Sequence, residues 1–114
     1  MIISKITKED FEDIEKVSEL SEGDLQVISD EFYISLKNMW FVLTNRLSGE
    51  DKRKALAFIE DVQSNGYIEM SYNDNTDLWL HNDIPVMISS SIDGYAIFLT
   101  SKFVNKVSRL LDKY

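Results

Sequence analysis

The side chains that could do chemistry in this sequence are one histidine, a run of three serines and several groups of carboxylates. His81 lies in "NDNTDLWLHND", residues 73–83. Hydrolytic zinc sites draw on two or three His or Cys ligands, whereas this chain has one His and no Cys. The sequence therefore gives no basis for a metal site, and the lack of Cys excludes disulfides and thiol catalysis.

The serines at 89–91 lack the surroundings of a nucleophile. Serine catalysis needs a nearby base and an oxyanion pocket, and no Gly-x-Ser-x-Gly elbow surrounds this run. The run precedes Asp93 and Gly94, a strong signal for a two-residue hairpin turn, because both central residues of a type I′ turn need positive φ. That turn would pair Ser90 with Ile97, so it predicts that the serines are ordinary strand residues.

Two clusters of polar side chains resemble sites only in composition. "NDNTD", residues 73–77, lacks the central glycine and the trailing glutamate of an EF-hand calcium loop. Asn and Asp tolerate left-handed backbone, so this stretch predicts a turn. "EDFEDIE", residues 9–15, spaces its acids along one helix, where solvated carboxylates are poor general acids. We therefore expect no enzymatic activity and no cofactor.

Three helices are predicted before Gly66. The first spans 8–20, with Thr7 as its N-cap and apolar residues at helical spacing. The second spans 24–47, and its broad apolar stripe is typical of a central helix covered on several sides. The third spans 50–64 and ends before an Asn-Gly pair.

After Gly66 the apolar period changes from about 3.6 residues to about 2. This change predicts strands at 67–72, 77–81, 85–92 and 95–100, followed by a helix at 101–113. The expected fold is α+β: three N-terminal helices, an antiparallel meander of three to four strands, and a C-terminal helix. A chain of 114 residues fits a single globular domain, residues 1–114.

The first predicted hairpin has two faces of different chemistry. With its turn at 73–77, Tyr72 would lie opposite Leu78 and Met70 opposite Leu80, on an apolar face that meets the helices. The other face would pair Ser71 with Trp79, Glu69 with His81, and Tyr67 with Asp83. Two alternatives follow: Trp79 is an exposed aromatic anchor for a protein partner, or the first or the C-terminal helix covers it.

The net charge of −8 is concentrated in two blocks. Residues 1–31 hold ten acids and three lysines, and residues 67–100 hold five acids and no Lys or Arg. Such a field repels nucleic-acid phosphates and attracts basic protein surfaces, mainly by speeding association. An acidic chain also gains solubility from its charge, which is the alternative explanation.

The function that charge and missing chemistry favour is binding of another protein. We expect a small acidic inhibitor of the immunity-protein, antitoxin or phage-encoded type, which occludes the functional surface of a basic partner such as a toxin or nuclease. The candidate contact residues are Trp79, Tyr67, Glu69, His81, Asp74, Asp77, Asp83, Glu12, Asp13 and Glu19.

The second hypothesis comes from a local resemblance. "ALAFIEDVQSNGYIEM", residues 55–70, followed by "YAIFLTSKF", residues 95–103, resembles the recognition helix, strand and wing of winged-helix domains. The resemblance implies a regulator that contacts DNA through Lys52, Arg53 and Lys54 or binds another regulator. Because residues 67–100 hold no Lys or Arg, a wing there would be expected to contact protein.

The N-terminus has a three-residue apolar run before its first charge, which is too short for the core of a signal peptide. No window approaches the roughly 18 apolar residues of a membrane span. We therefore expect a cytoplasmic protein without membrane contact.

Overall fold

The computed structural model describes residues 3–31 and 39–114. Its strands are β1 (Ser4–Lys5), β2 (Met39–Leu43), β3 (Tyr67–Asn73), β4 (Thr76–His81), β5 (Ile84–Ser91) and β6 (Gly94–Thr100). Its helices are α1 (Phe11–Ser18), α2 (Glu22–Glu31), α3 (Gly49–Asn65) and α4 (Ser101–Leu111), with short 3-10 helices at Lys8–Asp10 and Thr44–Arg46. The strands form one antiparallel sheet in the order β1-β2-β6-β5-β4-β3.

The predicted helix at 24–47 is wrong. α2 ends at Glu31, residues 32–38 lie outside the described part, and Met39–Leu43 form β2, which pairs with β6. "MWFVL" is a short apolar run, and periodicity alone cannot distinguish a buried strand from a buried helix in such a run. Consequently α1 and α2 precede β2 and α3 and α4 follow it, so the three helices before the predicted meander are not consecutive. The sheet of the described residues has six strands instead of three to four.

The α+β class stands, and most other elements lie where the sequence places them. The helix predicted at 8–20 is the 3-10 helix Lys8–Asp10 continued by α1, and the helices predicted at 50–64 and 101–113 are α3 and α4. The four strands predicted after Gly66 correspond to β3 to β6.

Helices cover both faces of the sheet. α3 and α4 pack over one cluster of buried side chains that includes Val42, Ile88 and Ile97. α1 and Leu25 of α2 pack over a second cluster that includes Phe41 and Met87. We call these two sides the α3 face and the α1 face. Strand side chains alternate between them, because successive residues of a strand point to opposite sides.

The β5–β6 hairpin turns one residue earlier than predicted. Ser91 pairs with Gly94, and Ser90 pairs with Tyr95 instead of Ile97, so the two turn residues are Ile92 and Asp93. Gly94 has a φ of +139°, and a Cβ there would approach the Thr44 hydroxyl to 2.7 Å. That hydroxyl accepts a 2.8 Å hydrogen bond from the backbone N–H of Tyr95. The glycine thus serves close packing against Thr44, and the turn moves accordingly.

The observed pairing of β5 with β6 is offset by two residues from the predicted one. Because the side-chain period of a strand is two, this offset leaves every side chain on its predicted face.

Within the described helices, none combines the length and the apolar character that a membrane crossing requires.

Candidate protein-binding surface

The stretch "NDNTD" forms a turn, as predicted. Asn73 pairs with Thr76, Asp74 and Asn75 make the turn, and the Asn73 side-chain oxygen accepts a 2.8 Å hydrogen bond from the backbone N–H of Asn75. The end of "NDNTDLWLHND" is a second turn: Asn82 and Asp83 join β4 to β5 with φ values of 50° and 62°, the positive values of a type I′ turn.

The cross-strand pairs predicted for the first hairpin are wrong. Met70 lies opposite Leu78, Tyr67 opposite Leu80, and Ile68 opposite Trp79. The register shifts between Ile68 and Met70 and again between Ser71 and Asn73. Each irregularity adds a residue to β3, as a β-bulge does, and the pattern of apolar residues does not reveal such an insertion.

Trp79 is a core residue. It lies on the α3 face, pairs with Ile68 and Val86, and packs half-buried against the cluster beneath α3. Its indole N–H is buried without a hydrogen-bond partner among the described residues. Of the two alternatives, coverage by a helix is the one the structure adopts, and the covering helix is α3 instead of the first or the last.

His81 is held beneath α3, and the predicted pairing of His81 with Glu69 is wrong. Its side chain is 7% exposed, and its Nε2 lies 3.3 Å from a carboxylate oxygen of Asp61. The Tyr114 hydroxyl donates to that same oxygen, and the Asn65 amide donates to the other at 2.7 Å. This cluster ties α3, β4 and the residues after α4 together.

The two acidic groups of this cluster have shifted pKa values. Hydrogen bonds from Tyr114, Asn65 and His81 hold the pKa of Asp61 below its ordinary range despite some desolvation. Burial, together with the Asp61 carboxylate, raises the pKa of Tyr114 to about 12. Sequence reasoning missed Asp61 and Tyr114 because they lie 53 residues apart and belong to no motif.

The acids of α1 differ in their freedom to meet a partner. Glu12 lies 3.2 Å from Lys16, and Asp13 forms an ion pair with Arg46. Nearby bases therefore offset part of the charge at these two predicted contact residues. Glu19, the third, is exposed at the end of α1.

A groove of about 510 Å³ joins the two acidic blocks at one end of the sheet. The end of α1 contributes one wall, and the β3–β4 and β5–β6 turns contribute the other. Its lining residues, which we call the turn groove, are Lys16, Glu19, Asn75, Ser90, Ser91, Ile92 and Asp93.

Buried hydroxyl groups fix the wall formed by α1. The Ser89 hydroxyl donates to the backbone carbonyl of Ser18 at 3.1 Å and lies 2.7 Å from the Thr76 hydroxyl. The Ser18 hydroxyl in turn donates to the carbonyl of Ile14 at 2.6 Å. Ser89 is thus a structural link between α1 and the sheet, and it lies on the opposite side of the sheet from His81.

The two turns that form the other wall are also linked. The backbone N–H of Ser90 donates to the carbonyl of Asn75 at 2.8 Å, and the backbone N–H of Asp93 donates to the Ser91 hydroxyl at 3.1 Å. These bonds connect the β3–β4 and β5–β6 turns and fix the backbone of the wall that they form.

The groove combines an apolar tip with acidic groups. Ile92 is fully exposed at the tip of the β5–β6 turn, while Glu19 and Asp93 lie in the lining and Asp74 is adjacent to it. The lining also contains a basic residue, Lys16, whose positive charge is offset by an ion pair with Glu12. An apolar centre with a charged rim is the make-up of a protein interface.

Glu19 adopts an uncommon backbone conformation. Its φ of 59° and ψ of 14° are left-handed, and it ends α1 by donating its N–H to the carbonyl of Glu15. Glycine is the usual residue at such a position, because a Cβ destabilises left-handed backbone. A glutamate here is a local cost to stability, and such costs concentrate at functional sites.

The remaining predicted contact residues lie elsewhere. Tyr67 and Glu69 are exposed on β3, and Asp83 is exposed in the turn beside the start of that strand. Asp77 is half-buried opposite Ser71. The structure therefore brings Glu19 and Asp93 together in the turn groove, with Asp74 next in sequence to the lining residue Asn75. It places Tyr67, Glu69 and Asp83 along the sheet edge and at its far end.

The basic residues of the DNA-binding hypothesis lie in the first turns of α3. Arg53 there donates three hydrogen bonds to the Glu50 carboxylate at 3.0–3.2 Å. The resemblance to winged-helix domains assumes three successive helices, the second at 24–47. Because β2 (Met39–Leu43) lies within that range, the resemblance does not extend to the fold.

In residues 3–31 and 39–114, no three His, Cys, Asp or Glu side chains are grouped as metal ligands would be. Comparison of the chain with protein-family models, with curated proteins and with solved structures gives no significant match.

Proposed function

We propose that this protein is an acidic binding module that inhibits a basic partner protein by docking the turn groove on a Lys- and Arg-rich surface. The observation that carries the proposal is the meeting of Glu19 and Asp93 in one groove with the exposed Ile92. The mode of action is that of an immunity protein, an antitoxin or a phage-encoded inhibitor: occlusion of a functional surface.

Two physical effects support this mode of binding. The net charge of −8 speeds encounter with a basic partner, and complementary charges fix the orientation of docking. The hydrogen bonds that hold both walls of the groove lower the cost of ordering it on binding. Burial of Ile92 adds affinity of about 1.5–3 kcal/mol, the usual value for an aliphatic side chain.

The absence of cysteine is compatible with a reducing compartment. As part of the proposal we place the protein in the cytoplasm, together with a toxin or nuclease as the partner class.

The test uses charge-matched double variants. Glu19→Gln with Asp93→Asn removes the two acids of the groove lining, while Asp51→Asn with Glu60→Gln makes the same change of charge at two exposed positions of α3. Each tagged protein is used to capture partners from the cells that produce it, and association rates of the captured protein are measured at low and physiological salt.

We expect the groove pair to slow association about tenfold or more at low salt, and the α3 pair to change it less than about threefold, because steering depends on where charge lies. An Ile92→Ser variant should speed dissociation. Equal effects of the two pairs, or association that does not slow with salt, would contradict the proposal.

A further inference from the structure

The sheet has two edges, which differ in length and in chemistry. β1 is two residues long and includes Lys5, and both features protect an edge against pairing with another strand. β3 is seven residues long and contains neither Lys nor Pro. Among the residues that the structure describes, no strand pairs with the outer side of Tyr67–Ser71, so this part of β3 is the edge to which a further strand can be added.

β3 also exposes large apolar side chains. Tyr67 is 58% exposed and Ile68 is 51% exposed. As neighbours on a strand they point to opposite sides of the sheet: Tyr67 lies beside Leu80 and Ile68 beside Trp79. A strand added along this edge would cover both side chains at once, one on each face.

The charge around β3 selects the occupant. Glu69 lies on the strand, Asp74 and Asp83 lie in the adjoining turns, and no Lys or Arg occurs anywhere in residues 67–100. A second copy of the chain would place these acids beside identical acids, and like charges across strands are destabilising. A segment that carries Lys or Arg is attracted by the same groups.

The irregularities of β3 limit this pairing without preventing it. The register shifts leave two regular stretches, Tyr67–Ile68 and Met70–Ser71. Bulges discourage indiscriminate pairing with long flat strands. A short segment whose charges complement Glu69 and the adjoining aspartates still gains main-chain hydrogen bonds and apolar contacts.

We propose that β3 binds an extended, Lys- or Arg-containing segment of the partner as a seventh strand of the sheet. In this mode of recognition main-chain hydrogen bonds supply affinity and alternate side chains supply specificity. The inference rests on the proposed function in that the partner is basic. β3 ends at the turn that carries Asn75 of the turn groove, so one partner can occupy both surfaces.

The experiment uses a synthetic probe and the full chain. The probe is a capped decapeptide that alternates lysine with valine, and its control replaces the valines with proline, which keeps the charge and removes strand pairing. Amide hydrogen exchange of the chain is measured with each peptide, and affinities are measured for wild type, Ile68→Lys and Leu56→Lys. Leu56 is the matched control, an exposed aliphatic residue on α3.

We expect the lysine–valine peptide to slow exchange in residues 67–73, and Ile68→Lys to weaken its binding about tenfold or more, because an edge lysine opposes pairing. Leu56→Lys, which adds the same charge, should weaken binding less than about threefold. The proline peptide should bind at least about tenfold more weakly than the lysine–valine peptide.

Three results would overturn the inference: no binding of the lysine–valine peptide, equal binding of both peptides, or unchanged exchange in β3. If β3 fails while neutralising Glu19 and Asp93 still abolishes capture of the partner, the proposed function stands and strand addition is wrong. If β3 behaves as expected and the groove variants have no effect, the turn groove is not the docking surface.

Discussion

Replacement of Glu19 by glycine should stabilise the protein and weaken its binding. Glu19 ends α1 in left-handed backbone, with a φ of 59°. For residues other than glycine this conformation costs about 1–2 kcal/mol, mainly through contact of the Cβ with the following carbonyl oxygen. The carboxylate also lies at the negative end of the helix dipole, which is unfavourable. Glycine removes both costs.

The size of the effect follows from two opposing contributions. Relief of the Cβ contact contributes about 1–2 kcal/mol, while the greater freedom of glycine in the unfolded chain removes about 0.4–1 kcal/mol. The net gain is about 0.5–1 kcal/mol. Unfolding entropy of about 2.1 cal/mol/K per residue over 114 residues converts this gain into a rise in Tm of about 2–4 °C.

The assay is thermal unfolding followed by circular dichroism, with two controls. Glu19→Gln keeps the Cβ and removes the charge, so it isolates the electrostatic part. Glu15→Gly places glycine inside α1, where it should lower stability by about 1 kcal/mol. A Tm for Glu19→Gly at or below that of Glu19→Gln would refute the argument from backbone conformation.

The same variant also tests the assignment of function. Glu19 lines the turn groove, so its loss should slow association with the partner while stability rises. If Glu19→Gly raised the Tm and left association unchanged, Glu19 would have no role in binding.

Three further changes test the turns and the buried polar groups. Asp83→Gly, at a φ of 62° in the type I′ turn, relieves the Cβ contact of left-handed backbone but gains freedom in the unfolded chain, so it should raise stability by about 0.5–1 kcal/mol in urea unfolding. A decrease would contradict that turn type. Ser89→Ala removes a buried hydroxyl that donates to the Ser18 carbonyl, and it should cost about 1–3 kcal/mol in the same assay; a neutral result would show that α1 is held by packing alone. Tyr114→Phe concerns a hydroxyl whose pKa is raised to about 12, so its contribution is full below pH 10 and is lost as pH rises through 12. The wild type should therefore lose stability over that range more steeply than the variant, and parallel pH profiles would exclude the hydroxyl's link to Asp61.

The parts of the fold that are readable from sequence are those specified locally. Strands β3 to β6 follow from the period of two, and their turns follow from Asn, Asp and Gly. The helix predicted at 24–47 fails because residues 39–43 are specified by their neighbours: β2 exists only in pairing with β6 and with β1, both distant in sequence. No local pattern in "MWFVL" reports those partners.

The candidate site is less readable than the fold, for a related reason. A β-bulge changes which residues face each other, so the pairs predicted between β3 and β4 depend on a register that the pattern cannot supply. Trp79 does lie on the side of β4 opposite Leu78, as its alternation predicts, but whether that side is open or covered depends on the packing of α3, which no local pattern reports. Ile88, Ser89 and Ser90 lie on the alternate faces that the sequence predicts, because the β5–β6 pairing is offset from the predicted one by an even number of residues, two. The turn groove could not be predicted at all, since Glu19 and Asp93 meet only through the attachment of α1 to the sheet.

The covering of both sheet faces decides where this fold can meet a partner. Because α3 with α4 and α1 with α2 pack on the faces, the turns and the edges of the sheet are the parts that these helices leave uncovered in the described residues. Asp74, Asp83 and Asp93 lie in those turns, where aspartate tolerates the backbone that a turn needs. Asparagine and glycine would meet that need equally well. A charged residue at all three turns, with no base between residues 67 and 100, is therefore more than local turn chemistry requires, and it supports the electrostatic role that we propose.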